Sequence, residues 1–113
     1  MQDGAPVLAL GGSGGMRIAT GTTQVLLANL VFGRAPGDAV ADPRFETPPT
    51  GGLALDASAP AEVAADLQKR GEVVDTSKPN FSGVQAISLG TKDGVRFLSA
   101  GADPRKGGSA LVE

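Results

Sequence analysis

The residues best suited to chemistry are Gly11-Gly12-Ser13-Gly14-Gly15, set between the apolar stretch Leu8-Ala9-Leu10 and an apolar run that begins at Met16. Glycines at such a junction take positive φ and leave backbone N–H groups uncovered. N–H groups at a helix start lack intrahelical partners and favour negative charge. The loop is therefore built to hold an anion or an oxyanion, or it is a tight strand-to-helix turn with no ligand. Ser13 satisfies the Gly-x-Ser-x-Gly pattern of a nucleophile elbow, but that chemistry needs a base, and the chain has no His. No Gly-Lys-Ser/Thr follows, so the loop is not a P-loop. The spacing of Gly12, Gly14 and Gly15 does not fit a dinucleotide fingerprint, and no acidic residue ends a second strand about 20 residues on.

Other polar residues read first as structural. Arg44 follows Asp42-Pro43 and Arg105 follows Asp103-Pro104. Either guanidinium suits bidentate carboxylate binding, but a local ion pair that fixes each turn is the expectation here. Arg17 reads as a contact at the helix start. Gln85 reads as a residue that satisfies backbone groups within a sheet. With no Cys and no His, thiolate catalysis, imidazole bases and most zinc sites are excluded, and no cofactor or metal is expected. A net charge of −2 with scattered basic residues argues against nucleic acid. No run of about 18 apolar residues suggests a membrane span.

These residues need elements to position them. Asp3-Gly4 is a hairpin turn, with a strand from Pro6 to Leu10 after it. Only Met1 and Gln2 precede that turn, so the chain reads as starting inside a structural unit. Ile18, Thr22, Val25, Leu26, Asn29 and Leu30 follow helical spacing, and Leu27 and Val31 add a second apolar side. The helix Met16–Phe32 is thus expected to be buried on most sides, with Gly33 at its C′ position and Gly21 marking close packing. A short helix covers Ala35–Val40, and a loop follows at residues 47–52. Then come a strand at Leu53–Asp56 and a helix from about Pro60 to Arg70 that buries Val63, Ala64 and Leu67 and ends at Gly71. Strands at Glu72–Asp75, Val84–Leu89 and Val95–Ala100 complete the order β-α-α-β-α-β-β-β, with a turn at Lys92-Asp93-Gly94. A length of 113 residues, 17 of them glycine, gives one modest domain or a piece that leans on something larger.

Several segments in order carry a resemblance. They are Gly14-Gly15-Met16-Arg17-Ile18, Gln24-Val25-Leu26-Leu27, Ala39-Val40-Ala41-Asp42-Pro43-Arg44-Phe45, Gly83-Val84-Gln85-Ala86-Ile87, and Gly101-Ala102-Asp103-Pro104-Arg105-Lys106-Gly107-Gly108. Together they resemble the gamma-glutamyltranspeptidase family, specifically the C-terminal part of its small catalytic subunit. The resemblance implies an α+β fold: the C-terminal portion of a four-layer αββα sandwich of the N-terminal-nucleophile hydrolase type, with a mixed sheet and about three helices. It implies an enzyme that transfers or hydrolyses gamma-glutamyl amides, such as glutathione, through an acyl-enzyme. In that family a precursor cleaves itself, and the new N-terminal threonine is nucleophile and base.

The family's oxyanion glycines match Gly14 and Gly15. Ser13 and Met16 flank them and are the expected substrate-pocket residues. Met16 departs from the small polar residue common there. The threonine, the groups that grip the donor and a Ser-Ser pair would all precede Met1, so the chain alone is expected to be inactive. Its expected partners are the upstream part of the same precursor (the large subunit and the rest of the small subunit) and a gamma-glutamyl substrate. Expressed alone, it would bury its apolar surface in a homo-oligomer. The resemblance points to the periplasm or the cell exterior. The alternatives are a related acylase or amidohydrolase of the same fold, a non-catalytic self-associating domain, or a small anion-binding module. Gly15→Ala is expected to intrude where close backbone approach is needed, and Gly11→Ala to act mainly on stability.

Overall fold

The structure, a computed structural model, describes residues 2–77 and 82–111. The elements are β1 (Leu8–Ser13), α1 (Arg17–Leu30), α2 (Pro36–Ala41), β2 (Phe45–Glu46), β3 (Leu53–Leu55), α3 (Ala61–Lys69), β4 (Val74–Asp75), β5 (Gly83–Lys92) and β6 (Val95–Gly101). They divide into two compact units. One takes the chain up to Asp42 and again from Ser82, and the other begins at Pro43.

The first unit is an antiparallel sheet in the order β1-β5-β6, with α1 and α2 packed on it. Period-two alternation decides its faces. Leu8, Leu10 and Gly12 lie opposite Ser88, Ala86 and Val84. Leu8 and Leu10 pack against the buried cluster of Val25, Ala39, Val40, Val84 and Ala86. The other face carries Ala9 opposite Ile87 and Leu89 opposite Leu98. Ile87 and Leu98 are exposed. The β5–β6 hairpin closes through Asp93 (φ 53°) and Gly94 (φ 79°), two left-handed residues whose twist matches that of the strands. Asp3 (φ 49°) and Gly4 (φ 76°) make the same turn in miniature, with Gln2 and Ala5 exchanging both backbone hydrogen bonds. Met1, the other residue before that turn, lies outside the described residues.

Two expectations for the first unit need correction. β1 does not stop before the glycines. It runs through Gly11 and Gly12 to Ser13, paired with Gln85, Val84 and Gly83. Gly12 belongs in the strand because α1 crosses it closely: a Cβ there would sit 2.9 Å from Thr22 Cγ2. The second correction concerns α1. Gly21 and Val25 are buried, but Leu30 is 52% and Phe32 75% exposed. The helix has one sheet beneath it, and among the described residues nothing covers its second apolar side. Its C-terminus closes as expected at Gly33 (φ 67°), with Arg34 N–H donating to the Ala28 carbonyl and Asn29 Nδ2 to that of Arg34.

The second unit is a small β-α-β crossover. β3 and β4 are parallel, with Leu53 opposite Val74, and α3 connects them. β2 adds an antiparallel edge, with Phe45 opposite Leu55. The two residues of β2 are too short to show any periodicity in the sequence. α3 starts at Ala61, with Pro60 at the N-cap and Glu62 in its first turn. Of the three residues expected to be buried there, Ala64 and Leu67 are half-buried, but Val63 is exposed. Two sheets with three helices make the fold α+β.

Candidate oxyanion site

The site is the junction of β1 and α1. Ser13 ends the strand opposite Gly83, and Gly14 and Gly15 turn the chain into the helix. Gly14 has φ 138° and Gly15 φ 64°, the region that side-chain-bearing residues rarely occupy. Their carbonyls are engaged by the first helical turn: Arg17 N–H donates to Gly14 O at 3.3 Å, and Ile18 N–H to Gly15 O at 3.1 Å. The N–H groups of Gly14 and Gly15 have no hydrogen-bond partner among the described residues. α1 has no side-chain N-cap and no acidic residue in its first turn to neutralise its positive end. Two N–H donors without partners at a helix head suit a developing oxyanion.

The four expected site residues are thus contiguous and form one turn. Met16 at the helix start is 82% exposed, and Ser13 is exposed on the sheet face opposite α1. Ser13 is not an elbow nucleophile. It lies in a regular strand pair, and among the described residues the non-glycine residues of positive φ are Asp3 and Asp93.

The contacts bear on both glycine expectations. A Cβ on Gly15 meets nothing within 4 Å, so its constraint is φ alone. The close approach is at Gly14, where a Cβ would lie 2.9 Å from Ser82 Cα and 3.1 Å from Ser82 Cβ. Gly11 likewise has open space and no positive φ, which removes the reason for Gly11→Ala to destabilise the fold. Ser82, 2% exposed, is a neighbour of the site that no sequence spacing indicates. Lys106 is another. Its aliphatic stem crosses Gly83 so closely that no side chain fits there.

Arg105 is structural, as expected. Its Nη1 donates to Val40 O at 3.0 Å and to Asp103 Oδ1 at 3.2 Å, and its Nη2 to Asp42 O at 3.0 Å. Gln85 Oε1 accepts the Asp103 N–H at 3.2 Å. Asp42 pairs with Arg34, whose pKa is raised by that hydrogen bond and by the carboxylate charge. Arg44 is buried in the second unit. Two shallow cavities of about 360 and 350 Å³ flank the first sheet, and neither is lined by Gly14 or Gly15. Among the described residues no group of His, Cys, Asp or Glu could hold a metal, and no helix is long and apolar enough to cross a membrane.

Comparison with known proteins bears on the family and the fold. The gamma-glutamyltranspeptidase family model matches residues 1–113. The chain is 28% identical over 110 residues to the glutathione hydrolase proenzyme of Bacillus subtilis, covering 97% of this chain and 18% of that protein. It superimposes on the gamma-glutamyltranspeptidase of Pseudomonas nitroreducens solved with L-DON, with a TM-score of 0.80 and 32% identity, over 100% of this chain and 58% of that one. A cephalosporin acylase of Bacillus halodurans has a TM-score of 0.74 and 27% identity, over 86% of this chain and 18% of that one. The chain belongs to the gamma-glutamyltranspeptidase family. It spans about a fifth of the length of the curated relative.

Proposed function

We propose that this chain is the C-terminal segment of an enzyme that cleaves gamma-glutamyl amides of the glutathione type, and that it supplies the oxyanion hole. The observation that carries the reading is the pair of adjacent N–H groups on Gly14 and Gly15, without partners among the described residues, at the head of α1. The nucleophile is the N-terminal threonine oxygen that the family implies, supplied by another part of the precursor. As that oxygen bonds to the amide carbon, its proton passes to the threonine amine and the carbonyl electron pair moves onto oxygen. Gly14 and Gly15 donate to the resulting oxyanion. Collapse restores the carbonyl and breaks the C–N bond, and the amine leaves with a proton from the threonine amine. Water or an acceptor amine then attacks the ester in the same way. Two backbone donors aimed at this charge lower the barrier by several kcal/mol and need no particular side chain. Ser13 and Met16 border the pocket, and the exposed thioether of Met16 gives it an apolar rim.

The test is turnover of gamma-glutamyl-p-nitroanilide. The intact enzyme carrying this segment should release p-nitroaniline, and the isolated chain should not, because it lacks the covalent route. Release by the purified isolated chain contradicts the reading. The likeness to the cephalosporin acylase favours a second substrate class. Hydrolysis of a cephalosporin side-chain amide with no gamma-glutamyl turnover selects that reading.

A further inference from the structure

Asp103 has no solvent exposure, and a carboxylate in that position is costly unless its oxygens are bonded. Its Oδ2 accepts the Val84 N–H at 2.9 Å, and its Oδ1 accepts the Arg105 N–H at 3.0 Å. Its own N–H reaches Gln85 Oε1. Asp103 therefore grips the head of β5 through both side chain and backbone. The residues held there are those that confine the glycine turn. Gly83 pairs with Ser13, and the Ser82 backbone lies against Gly14 with no space for a methyl group. On the other side, the first turn of α1 holds the Gly14 and Gly15 carbonyls. The direction of the two N–H groups is thus set between a helix start and a strand head, and the strand head is fixed by one buried carboxylate.

We propose that Asp103 is a positioning residue for the oxyanion turn, acting through Val84 and Ser82 on Gly14. The inference rests on the oxyanion reading of Gly14 and Gly15. Arg105 partners the Asp103 carboxylate, so the effect is mechanical rather than a field at the oxyanion. A carboxylate serves because both oxygens accept at once, Oδ2 from the Val84 N–H and Oδ1 from the Arg105 N–H and Nη1. An asparagine would turn an NH2 toward one of these donors. A shift of about 1 Å at a reacting centre costs about 100-fold in rate, so small relaxation of the strand head is enough to matter.

The experiment uses the intact enzyme carrying this segment and compares Asp103→Asn, Ser82→Gly and Gly14→Ala. The measurements are kcat, KM, the affinity for a glutamyl-like boronate that forms a tetrahedral anion, and thermal melts. Asp103→Asn should lower kcat about 10- to 100-fold and Ser82→Gly about 3- to 10-fold, with KM changed less than about threefold. Boronate affinity should fall in step with kcat, a split that general destabilisation does not produce. If Asp103→Asn does not fold, Ser82→Gly decides the matter alone. Folded variants with wild-type kcat and boronate affinity, beside a Gly14→Ala enzyme that has lost both, overturn the positioning role and leave the oxyanion reading standing. Wild-type kcat in Gly14→Ala overturns the oxyanion reading and this inference with it.

Discussion

The tripeptide Asp-Pro-Arg occurs twice, at residues 42–44 and 103–105, and the two copies do opposite things. In the second copy the carboxylate is wholly buried and bonded to its own arginine and to β5, and Arg105 reaches back to the carbonyls that end α2. In the first copy the carboxylate faces partly into solvent and pairs with Arg34, while Arg44 is buried in the second unit. The same tripeptide therefore serves once as an internal clamp and once as a surface latch. Identical residues acquire different weight from burial, because removing water is what makes an unpaired charge expensive.

Substitutions can break or sharpen this contrast. The largest effect is expected for Asp103→Ala, which leaves the Val84 N–H without its acceptor and the Arg105 guanidinium without its counter-charge in the interior. Loss of one partner of a buried pair costs about 3–5 kcal/mol, so the thermal melt of the intact enzyme should fall steeply. Arg105→Ala should follow at about 2–3 kcal/mol, since Asp103 keeps its bond from Val84 while the end of α2 loses its cap. Asp42→Asn should be the mildest, with a melt close to wild type and any difference fading as salt is added, because the pair it breaks is partly exposed. A melt for Asp42→Asn as low as that for Asp103→Ala would remove the distinction between clamp and latch.

Local signals in the sequence were legible where local physics decides. The helical spacing from Ile18 to Leu30 gives α1, and Asp93-Gly94 and Gly33 mark a hairpin turn and a helix end whose positive φ they supply. Gly14 and Gly15 were legible as the turn into α1 because the positive φ that turn needs is a backbone property glycine supplies. What escaped is set by partners distant in sequence. Gly11 and Gly12 look like loop, yet Gln85 and Val84 make them strand. Ser82 has no motif, and its contact with Gly14 exists only once β5 lies beside β1. The spacing of the second apolar side of α1 reads as buried, yet among the described residues that side is exposed.

The central claim is that Gly14 and Gly15 stabilise an oxyanion, and a comparison of Gly14→Ala with Gly11→Ala in the intact enzyme tests it most directly. Gly14 has φ 138° and a Cβ clash with Ser82, so alanine must displace the turn. Gly11 has open space around it and no positive φ. Loss of one oxyanion donor typically lowers kcat about 100- to 1000-fold. The expected result is a loss of that size in folded Gly14→Ala with KM nearly unchanged, and wild-type kinetics in Gly11→Ala. A folded Gly14→Ala enzyme with near-wild-type kcat would show that the glycines serve only to pack the helix start.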